Sequence, residues 1–262
     1  MNTEKIIAVA KRTIELEAES VAALQLAIDE QFVKAVQQIS QSKGRVVVSG
    51  IGKSAIIAQK IVATFNSTGT PGLYMHAADA IHGDLGMVQP DDVVMVISKS
   101  GNSPEIKVLV PLIKRFGNPL IGMVGNTDSY LAKNASVVLN TTVSQEACPN
   151  NLAPTTSTTA QLAMGDALAV SLMEVRGFTG ADFARFHPGG TLGKKLYLTV
   201  DDLIAGNPRP AVAPATPLPE TVIEMTSKLL GATAVVNPDG TIYGIITDGD
   251  LRRMLARRQP IA

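Results

Sequence analysis

Two glycine- and serine-rich stretches each follow a short apolar run, and both have the composition of a phosphate-binding loop. The first is Gly50-Ile51-Gly52-Lys53-Ser54, and the second is Ser98-Lys99-Ser100-Gly101-Asn102-Ser103. If each leads into a helix, the free N–H groups at the helix N-terminus favour an anion, and Lys53 or Lys99 would add positive charge. The first stretch is not a P-loop, because that motif needs a glycine where this chain has Val47. A plain turn with a solvated lysine fits the first stretch equally well.

Carboxylate and imidazole side chains near these stretches could perform acid–base chemistry. Glu105 directly follows the second stretch, so it could act as a general base beside a bound phosphate ester; its alternative role is a favourable interaction with the helix dipole. The three histidines, His76, His82 and His187, all lie in glycine- or proline-rich loop sequence, which favours a functional role. His76 and His82 could share a metal ion, but no HExxH or paired-cysteine pattern supports a metal site.

The elements that would position these residues alternate between strand and helix. Short β-branched runs predict strands, and apolar periodicity predicts the helices between them. The predicted strands are 45–49, 73–76, 92–98, 120–124 and 137–139, and the predicted helices are 54–65, 104–116 and 155–176. This alternation predicts an α/β fold with a doubly wound, five-stranded parallel sheet flanked by helices. Ligands of such sheets bind at the carboxyl ends of the strands, where both stretches fall.

The two ends of the chain have different patterns. Residues 3–40 have a helical pattern that one long helix or two shorter ones would satisfy, packing on the body of the protein or on a second subunit. Residues 203–219 are rich in proline and predict a linker. Beyond the linker, the patterns predict a helix over 220–230, strands over 232–236 and 242–247, and a basic helix over 251–258. These elements would form a small α+β module.

The overall composition excludes several classes of protein. The 262 residues contain 23 basic and 23 acidic side chains, and this zero net charge argues against a non-specific nucleic-acid binder. No apolar run reaches the roughly 18–20 residues of a membrane helix, and the N-terminus has no signal-peptide core. The single cysteine, Cys148, fits a reducing compartment and is typical of a packed small hydrophobe. We therefore predict a cytoplasmic protein without a membrane or nucleic-acid partner.

Several of these segments together resemble a known family. Residues 46–54, the loop that leads to Glu105 and the alternating strand and helix order are similar to the sugar isomerase (SIS) domain family. Six further segments resemble the arabinose 5-phosphate isomerases within that family: residues 69–71, 82–87, 146–149, 152–157, 164–169 and 187–190. The resemblance runs over residues 1–202, which we expect to form the SIS domain.

The resemblance implies a reaction and a set of residues. It implies interconversion of D-arabinose 5-phosphate and D-ribulose 5-phosphate through a cis-enediol, which feeds the synthesis of Kdo and lipopolysaccharide. The family's catalytic residues fall on Lys53, Glu105, Glu146 and His187. We expect Glu105 to be the base, Lys53 to stabilise the enediolate, Glu146 to position Lys53 or a sugar hydroxyl, and His187 or His82 to assist ring opening.

The resemblance also implies ligands and partners. The expected substrate-binding residues are Ser49, Gly50, Gly52, Ser54, Gly69, Thr70, His76, His82, Ser98, Ser100 and Ser103. No cofactor is expected to be required, although His76 falls where the family has been assigned a zinc contact, inhibitory or adventitious. The family implies a homotetramer with active sites built partly from neighbouring subunits.

The C-terminal segment resembles one CBS motif. Residues 244–253 carry the resemblance, so we expect residues 220–262 to be a single, incomplete CBS motif after the linker 203–219. Thr247 and Asp250 match positions that contact a nucleotide or sugar-nucleotide effector. Because a CBS cleft forms between two motifs, either two subunits pair their halves or regulation is weakened.

Two alternative functions remain open from the sequence. One is isomerisation of another sugar phosphate by an SIS enzyme, and the other is a non-catalytic sugar-phosphate sensor. The stretch 146–149 and the CBS-like segment argue against the first, and the joint presence of Lys53, Glu105 and His187 argues against the second. A DNA-binding regulator would need a basic helix-turn-helix segment, which residues 1–40 do not show.

Overall fold

Short, mostly apolar runs form a five-stranded parallel sheet at the centre of the larger unit. In the computed structural model, which describes residues 2–189 and 199–256, the strands are β1 (Val46–Gly50), β2 (Gly72–His76), β3 (Val93–Ser98), β4 (Leu120–Val124) and β5 (Val137–Asn140). Their order is β2-β1-β3-β4-β5, and every neighbouring pair is parallel. β1, β3 and β4 are buried along their whole length, as expected for strands covered on both faces.

Helices cover both faces of this sheet. They are α1 (Thr3–Ala23), α2 (Glu30–Gln41), α3 (Lys53–Ser67), α4 (Ala77–Ala80), α5 (Pro104–Phe116), α6 (Tyr130–Asn134), α7 (Thr156–Arg176) and α8 (Gly180–Phe186). Apolar side chains of α2, α3 and α7 form one core with one face of the sheet. Those of α4, α5 and α6 form a second core with the other face. The predicted doubly wound α/β fold is therefore confirmed.

The strand order creates a crevice between the carboxyl ends of β1 and β3. The chain leaves β1 through α3 to reach β2 on one side, and it then returns to place β3 on the other side of β1. Ligands of doubly wound sheets bind at such a topological switch point. α3 begins at Lys53 and α5 begins at Pro104, so both helices start at this edge with their N-termini towards the crevice.

The N-terminal helical pattern resolves into two helices. α1 and α2 are separated by a short 3-10 turn, Leu24–Ala27. α2 buries Phe32, Ala35, Val36 and Ile39 against the sheet. α1 buries no residue, and Ile6, Ile7, Val9 and Ile14 are each about half exposed or more. Its apolar stripe is therefore mostly uncovered within this chain.

The C-terminal residues form a second unit with its own sheet. The chain divides into compact units Met1–Leu196 and Tyr197–Ala262. In the second, α9 (Val200–Ile204), α10 (Leu218–Lys228) and α11 (Asp248–Ala256) accompany strands β6 (Ala211–Val212), β7 (Ala232–Val236) and β8 (Ile242–Thr247). The predicted small α+β module is thus present. Residues 257–258 of the predicted last helix lie outside the described residues.

One short strand lies inside the segment predicted to be a linker. Ala211 and Val212 pair in parallel with Ala234 and Val235 of β7. These two residues lie within a proline-rich segment, and their backbone groups extend the β7–β8 sheet. The segment 203–219 is therefore only partly a connection, because it contributes a strand to the second unit.

Candidate active site

The carboxyl ends of three adjacent strands bring most of the predicted site residues to one edge of the sheet. In register, Gly50 at the end of β1 lies beside His76 of β2 and Ile97 of β3, so Ser98 follows immediately. The helices and loops that leave this edge carry the other residues: Gly52, Lys53, Ser54, His82, Ser100, Ser103, Glu105 and Glu146. Residues from separate parts of the sequence therefore meet at the predicted crevice.

The first glycine-rich stretch makes a tight turn into α3. Gly52 caps α3 with φ of 60° and ψ of −130°, a conformation that side chains disfavour. Lys53 follows as the first residue of α3; its side chain is exposed and makes no hydrogen bond or ion pair in the described residues. Ser54 Oγ donates to Gln161 Oε1 of α7 at 3.1 Å, which ties the starts of the two helices together.

The second stretch forms a compact loop, here called the serine loop (residues 98–103). The Gly101 N–H donates to Ser98 Oγ at 3.0 Å, and Ser100 Oγ accepts from Asn102 N–H at 3.3 Å. Ser103 caps α5 without a side-chain hydrogen bond, and its buried Oγ has no partner among the described residues. Ser49 Oγ, at the end of β1, is also buried without one. Two unpaired hydroxyls and a helix N-terminus therefore face this edge.

Gly101 is required by both its conformation and its neighbour. Its φ is +62°, and a Cβ there would lie 2.2 Å from Ser129 Oγ. The backbone of the serine loop therefore packs directly against the start of α6, where Ser129 is the cap. This contact fixes the loop in the position that presents Ser103 at the edge.

Glu105 and Glu146 stand in opposite electrostatic environments. Glu105 lies in the first turn of α5, is partly exposed and makes no hydrogen bond or ion pair in the described residues. Glu146 is 2% exposed. Its Oε1 accepts from Lys99 Nζ at 2.6 Å and Ser157 Oγ at 2.5 Å. Its Oε2 accepts from the N–H groups of Thr155 and Ser157 at 2.8 and 3.2 Å, and from Thr155 Oγ1 at 3.3 Å.

These contacts keep Glu146 ionised. Burial by itself raises the pKa of the carboxyl, but the hydrogen bonds from Lys99, Ser157 and the start of α7 outweigh it and lower the pKa from 4.5 to about 2. Both oxygens are saturated with donors, so Glu146 is a poor proton acceptor. Its ion-pair partner is Lys99 and not Lys53, which was one of the two expected partners; the other, a sugar hydroxyl, stays a prediction.

The two histidines at this edge differ in their surroundings. His76 Nδ1 is buried without a hydrogen bond and lies 3.6 Å from Asp79 Oδ2. His82 is exposed in the turn that follows α4 and makes no side-chain contact in the described residues. One histidine and one carboxylate fall short of the three or four ligands of a zinc site, and no group of three or more ligating side chains occurs in residues 2–189 and 199–256.

Gly69 and Thr70 lie at the opposite edge of the sheet. They connect the end of α3 to the start of β2, at the amino ends of the strands. Arg176 Nη1 donates to Gly69 O and to Thr70 Oγ1, both at 2.8 Å. Within one chain, the structure therefore does not bring these two predicted substrate-binding residues to the crevice.

His187 also lies near the amino ends of the sheet strands within its own chain. It ends α8, its ring stacks on Phe183 with 3.9 Å between ring centroids, and its Nδ1 is 2.8 Å from Phe183 O. A Cβ on Gly69 would lie 2.8 Å from the ring of Phe178 and 3.6 Å from that of Phe186, so α8 packs beside this loop. The packing of α8 therefore places His187 near the end of the sheet where the strands begin, whereas Glu105 follows the carboxyl end of β3.

Thr247 and Asp250 form a helix cap in the second unit. Thr247 N–H and Oγ1 donate to Asp250 Oδ2 at 2.9 and 2.7 Å, and Asp250 N–H donates to Thr247 Oγ1 at 3.3 Å. The hydrogen bonds from Thr247 lower the pKa of Asp250 to about 2. Both side chains thus stabilise the start of α11, and their nucleotide-binding role stays a prediction.

The comparison with known proteins identifies the family. The SIS domain model matches residues 38–171. Arabinose 5-phosphate isomerase KdsD of Pseudomonas aeruginosa is 53% identical over 249 residues, which is 95% of this chain and 76% of that protein. The Escherichia coli K12 protein of the same name is 49% identical over 245 residues, covering 93% and 75%. This chain belongs to the arabinose 5-phosphate isomerases of the SIS domain family.

Solved structures agree with that family membership. The E. coli CFT073 protein c3406, solved in complex with arabinose 5-phosphate, has a TM-score of 0.69 and 40% identity, covering 72% of this chain and 100% of that chain. The sugar isomerase domain of the Sphaerobacter thermophilus RpiR transcription factor has a TM-score of 0.57 and 18% identity, covering 69% and 96%. The second likeness shows the fold alone.

Sequence reasoning missed part of this isomerase site. The ion pair of Lys99 with Glu146, and the hydroxyls of Thr155 and Ser157 that complete it, join segments 47 and 11 residues apart. The only signal was that these segments follow strands of one sheet.

The single cysteine lies in the loop that follows Glu146. Cys148 is partly exposed, and its Sγ accepts hydrogen bonds from the N–H groups of Ala153 and Leu152, which lower the pKa of the thiol.

Proposed function

We propose that the carboxyl edge of the sheet catalyses interconversion of D-arabinose 5-phosphate and D-ribulose 5-phosphate. The reaction opens the sugar ring, removes the proton from C2 and returns a proton to C1, while one proton moves from O2 to O1. The intermediate is a cis-enediol, so one carboxylate on one face of the substrate can serve both carbon atoms. In the cell, this reaction feeds the synthesis of Kdo and lipopolysaccharide.

Glu105 is the base in this proposal, and one contrast carries the assignment. Glu105 is unpaired among the described residues and lies beside the serine loop, whereas Glu146 is buried and saturated by donors. A carboxylate that accepts several hydrogen bonds is stabilised in its charged form and takes up a proton poorly. Glu105 is therefore free to relay the proton, and Glu146 acts by positioning its neighbours.

The phosphate group would bind at the serine loop and the start of α5. The unpaired hydroxyl of Ser103 and the N–H groups of the first turn supply donors, and the helix dipole favours the negative charge. Ser49, with its buried unpaired hydroxyl, and Ser98 and Ser100 line the same edge. This placement leaves C1 and C2 of the substrate to reach towards Glu105.

Lys53 and the histidines complete the proposed chemistry. Lys53 has no partner among the described residues at the start of α3, and it would stabilise the charge that develops on the enediolate. His82, exposed at the same edge, would assist ring opening, and His76 would contact the sugar. His76 and Asp79, 3.6 Å apart, could both contact a zinc ion, and the proposed steps are assigned to side chains alone.

A neighbouring copy would contribute His187. Because this residue lies near the amino edge of its own chain, it can reach a crevice only in another subunit. The uncovered apolar stripe of α1, including Ile6 and Ile14, provides a surface for such association. We propose a homotetramer on this basis.

Two further expectations stay predictions: an effector that binds at Thr247 and Asp250, and a cytoplasmic location. Among the described residues, none of the helices combines the length and the apolar character of a membrane span.

The experiment is an isomerase assay with the purified chain. D-arabinose 5-phosphate is supplied, D-ribulose 5-phosphate is followed, and a chelator is present throughout. Ribose 5-phosphate and glucose 6-phosphate serve as substrate controls. We expect turnover of the arabinose compound alone. Binding without turnover would instead support a sugar-phosphate sensor, and turnover of a control in its place would support a different SIS isomerase.

A further inference from the structure

Lys99 is a cation held in a fixed position at the edge of the crevice. Its Nζ donates to Glu146 Oε1 at 2.6 Å. Its side chain also packs on Gly125 at the end of β4, where an added Cβ would lie 3.1 Å from Lys99 Cγ, and the Gly125 N–H donates to Lys99 O at 3.1 Å. A lysine with both its stem and its ammonium fixed has already lost much of its side-chain entropy.

The ammonium of Lys99 is only partly satisfied. An ammonium has three N–H donors, and the carboxylate of Glu146 takes one. The side chain of Lys99 is 47% exposed, whereas that of Glu146 is fully buried. The remaining donors of the ammonium have no partner among the described residues and are open to solvent or to a ligand.

Glu146 does not cancel the field of Lys99 completely. The negative charge of Glu146 is also shared by Ser157 Oγ and by two N–H groups at the start of α7. The N-terminus of a helix carries a partial positive charge of roughly half a unit. The start of α7 and the Ser157 hydroxyl therefore share in stabilising the Glu146 carboxylate, so this charge is not balanced by Lys99 alone.

We infer that the side chain of Lys99 binds the phosphate group of the substrate, with Glu146 as its positioning residue. Lys99 is the second residue of the serine loop, whose other donors are hydroxyl and N–H groups, so its ammonium would add a full positive charge to donors that are otherwise neutral. The inference rests on the proposed function, because it assigns one more contact to the same site.

The test measures phosphate affinity separately from catalysis. Lys99→Met removes the ammonium, Lys99→Gln keeps a polar, hydrogen-bonding side chain without the charge, and Lys99→Arg keeps the charge. Lys43→Met is the matched control, because Lys43 is an exposed lysine before β1 at the opposite edge. For each protein, KM and kcat for D-arabinose 5-phosphate, the inhibition constant of inorganic phosphate and the Tm are measured.

We expect Lys99→Met and Lys99→Gln to raise KM and the phosphate inhibition constant together by roughly tenfold to a hundredfold, since each loses a charged hydrogen bond. kcat should change only a few-fold, Lys99→Arg should recover most of the affinity, and Lys43→Met should match the wild type. An unchanged inhibition constant in Lys99→Gln would overturn the inference, even if Tm or kcat falls.

The same experiment separates this inference from the proposed function. Direct binding of inorganic phosphate, followed by calorimetry, does not need turnover. A wild-type chain that binds phosphate but does not isomerise the sugar would contradict the proposed function alone. A wild-type chain that is active, with Lys99 variants that bind phosphate normally, would contradict the role of Lys99 alone.

Discussion

At the scale of single residues, two glutamates at one edge differ in what surrounds them. Glu146 is buried and receives hydrogen bonds from Lys99, Thr155 and Ser157, whereas Glu105 receives none from the described residues. The first environment stabilises a fixed negative charge, and the second leaves a carboxylate without a hydrogen-bond donor. The different roles proposed for these identical side chains depend on their surrounding contacts.

The base assignment predicts a large loss on Glu105→Gln. An amide has the shape of the carboxylate but cannot accept the C2 proton, so kcat should fall by roughly 10²–10⁴-fold with little change in KM. Steady-state kinetics of the purified variant measure this. Glu174→Gln, at an exposed position of α7, is the control and should retain wild-type activity. A loss of only a few-fold in Glu105→Gln would refute the assignment.

The depressed pKa of Glu146 predicts a defined pH dependence of stability. The carboxyl titrates near 4.5 when unfolded and at about 2 when folded, so its contribution is complete above pH 4.5 and is lost as the pH falls through about 2. The full contribution to the free energy of unfolding is roughly 3 kcal/mol. In urea unfolding, the difference in this free energy between the wild type and Glu146→Gln should therefore become smaller as the pH is lowered. A difference that does not change with pH would disprove the link.

At the scale of elements, the turns that follow β1 and β3 set the site. Gly52 and Gly101 both take positive φ, which lets α3 and α5 begin close to the sheet edge. The sequence indicated these turns because glycine lies directly after apolar runs. It could not indicate that Gly101 also packs on Ser129, since that contact joins loops of different strands.

A pair of glycine substitutions separates the energetic cost of a strained backbone conformation from the cost of a steric clash. Gly101→Ala places a methyl group at φ of +62° and 2.2 Å from Ser129 Oγ, whereas Gly117→Ala meets only a φ of +79° in open space. We expect Gly117→Ala to cost about 1 kcal/mol in the free energy of unfolding and Gly101→Ala roughly 2–4 kcal/mol. Chemical denaturation measures both. Equal costs would mean that the serine loop yields to the methyl group without strain.

The sequence predicted elements far better than it predicted their partners. The strands at 120–124, 232–236 and 242–247 have the predicted bounds. An apolar run, and the glycine or proline residues that interrupt it, are local features of the sequence, so they mark where a strand begins and ends. The short helices α4, α6, α8 and α9 were missed, since helices of four to seven residues are too short to show a period. The pairing of Lys99 with Glu146 depends on strand order, which no local pattern encodes.

At the scale of the whole molecule, the common direction of the parallel strands places predicted site residues at opposite ends of the sheet. Glu105 lies at the carboxyl edge, while Gly69, Thr70 and His187 lie near the amino edge. One chain therefore holds most of an active site at the carboxyl end of its sheet. At the other end, it holds His187, which could complete the site of another subunit. A symmetric oligomer can bring such complementary edges together.

Mixing two inactive variants tests this sharing between subunits. If His187 acts in a neighbouring crevice, an oligomer of Glu105→Gln and His187→Ala subunits contains some crevices with both wild-type residues. Co-expressed and purified mixed oligomers should then recover activity that neither variant has alone. Recovery would be absent if both residues had to come from the same chain, and the separately purified variants, left unmixed, provide the baseline.

The most direct measurement of the central claim is isomerisation in D₂O, followed by NMR. Proton transfer through a carboxylate that can exchange with solvent predicts that D-ribulose 5-phosphate made from D-arabinose 5-phosphate carries deuterium at C1 in at least part of the product. Glu105→Gln should form almost no product. Product without any deuterium, or rapid product formation by Glu105→Gln, would contradict an enediol relay at Glu105.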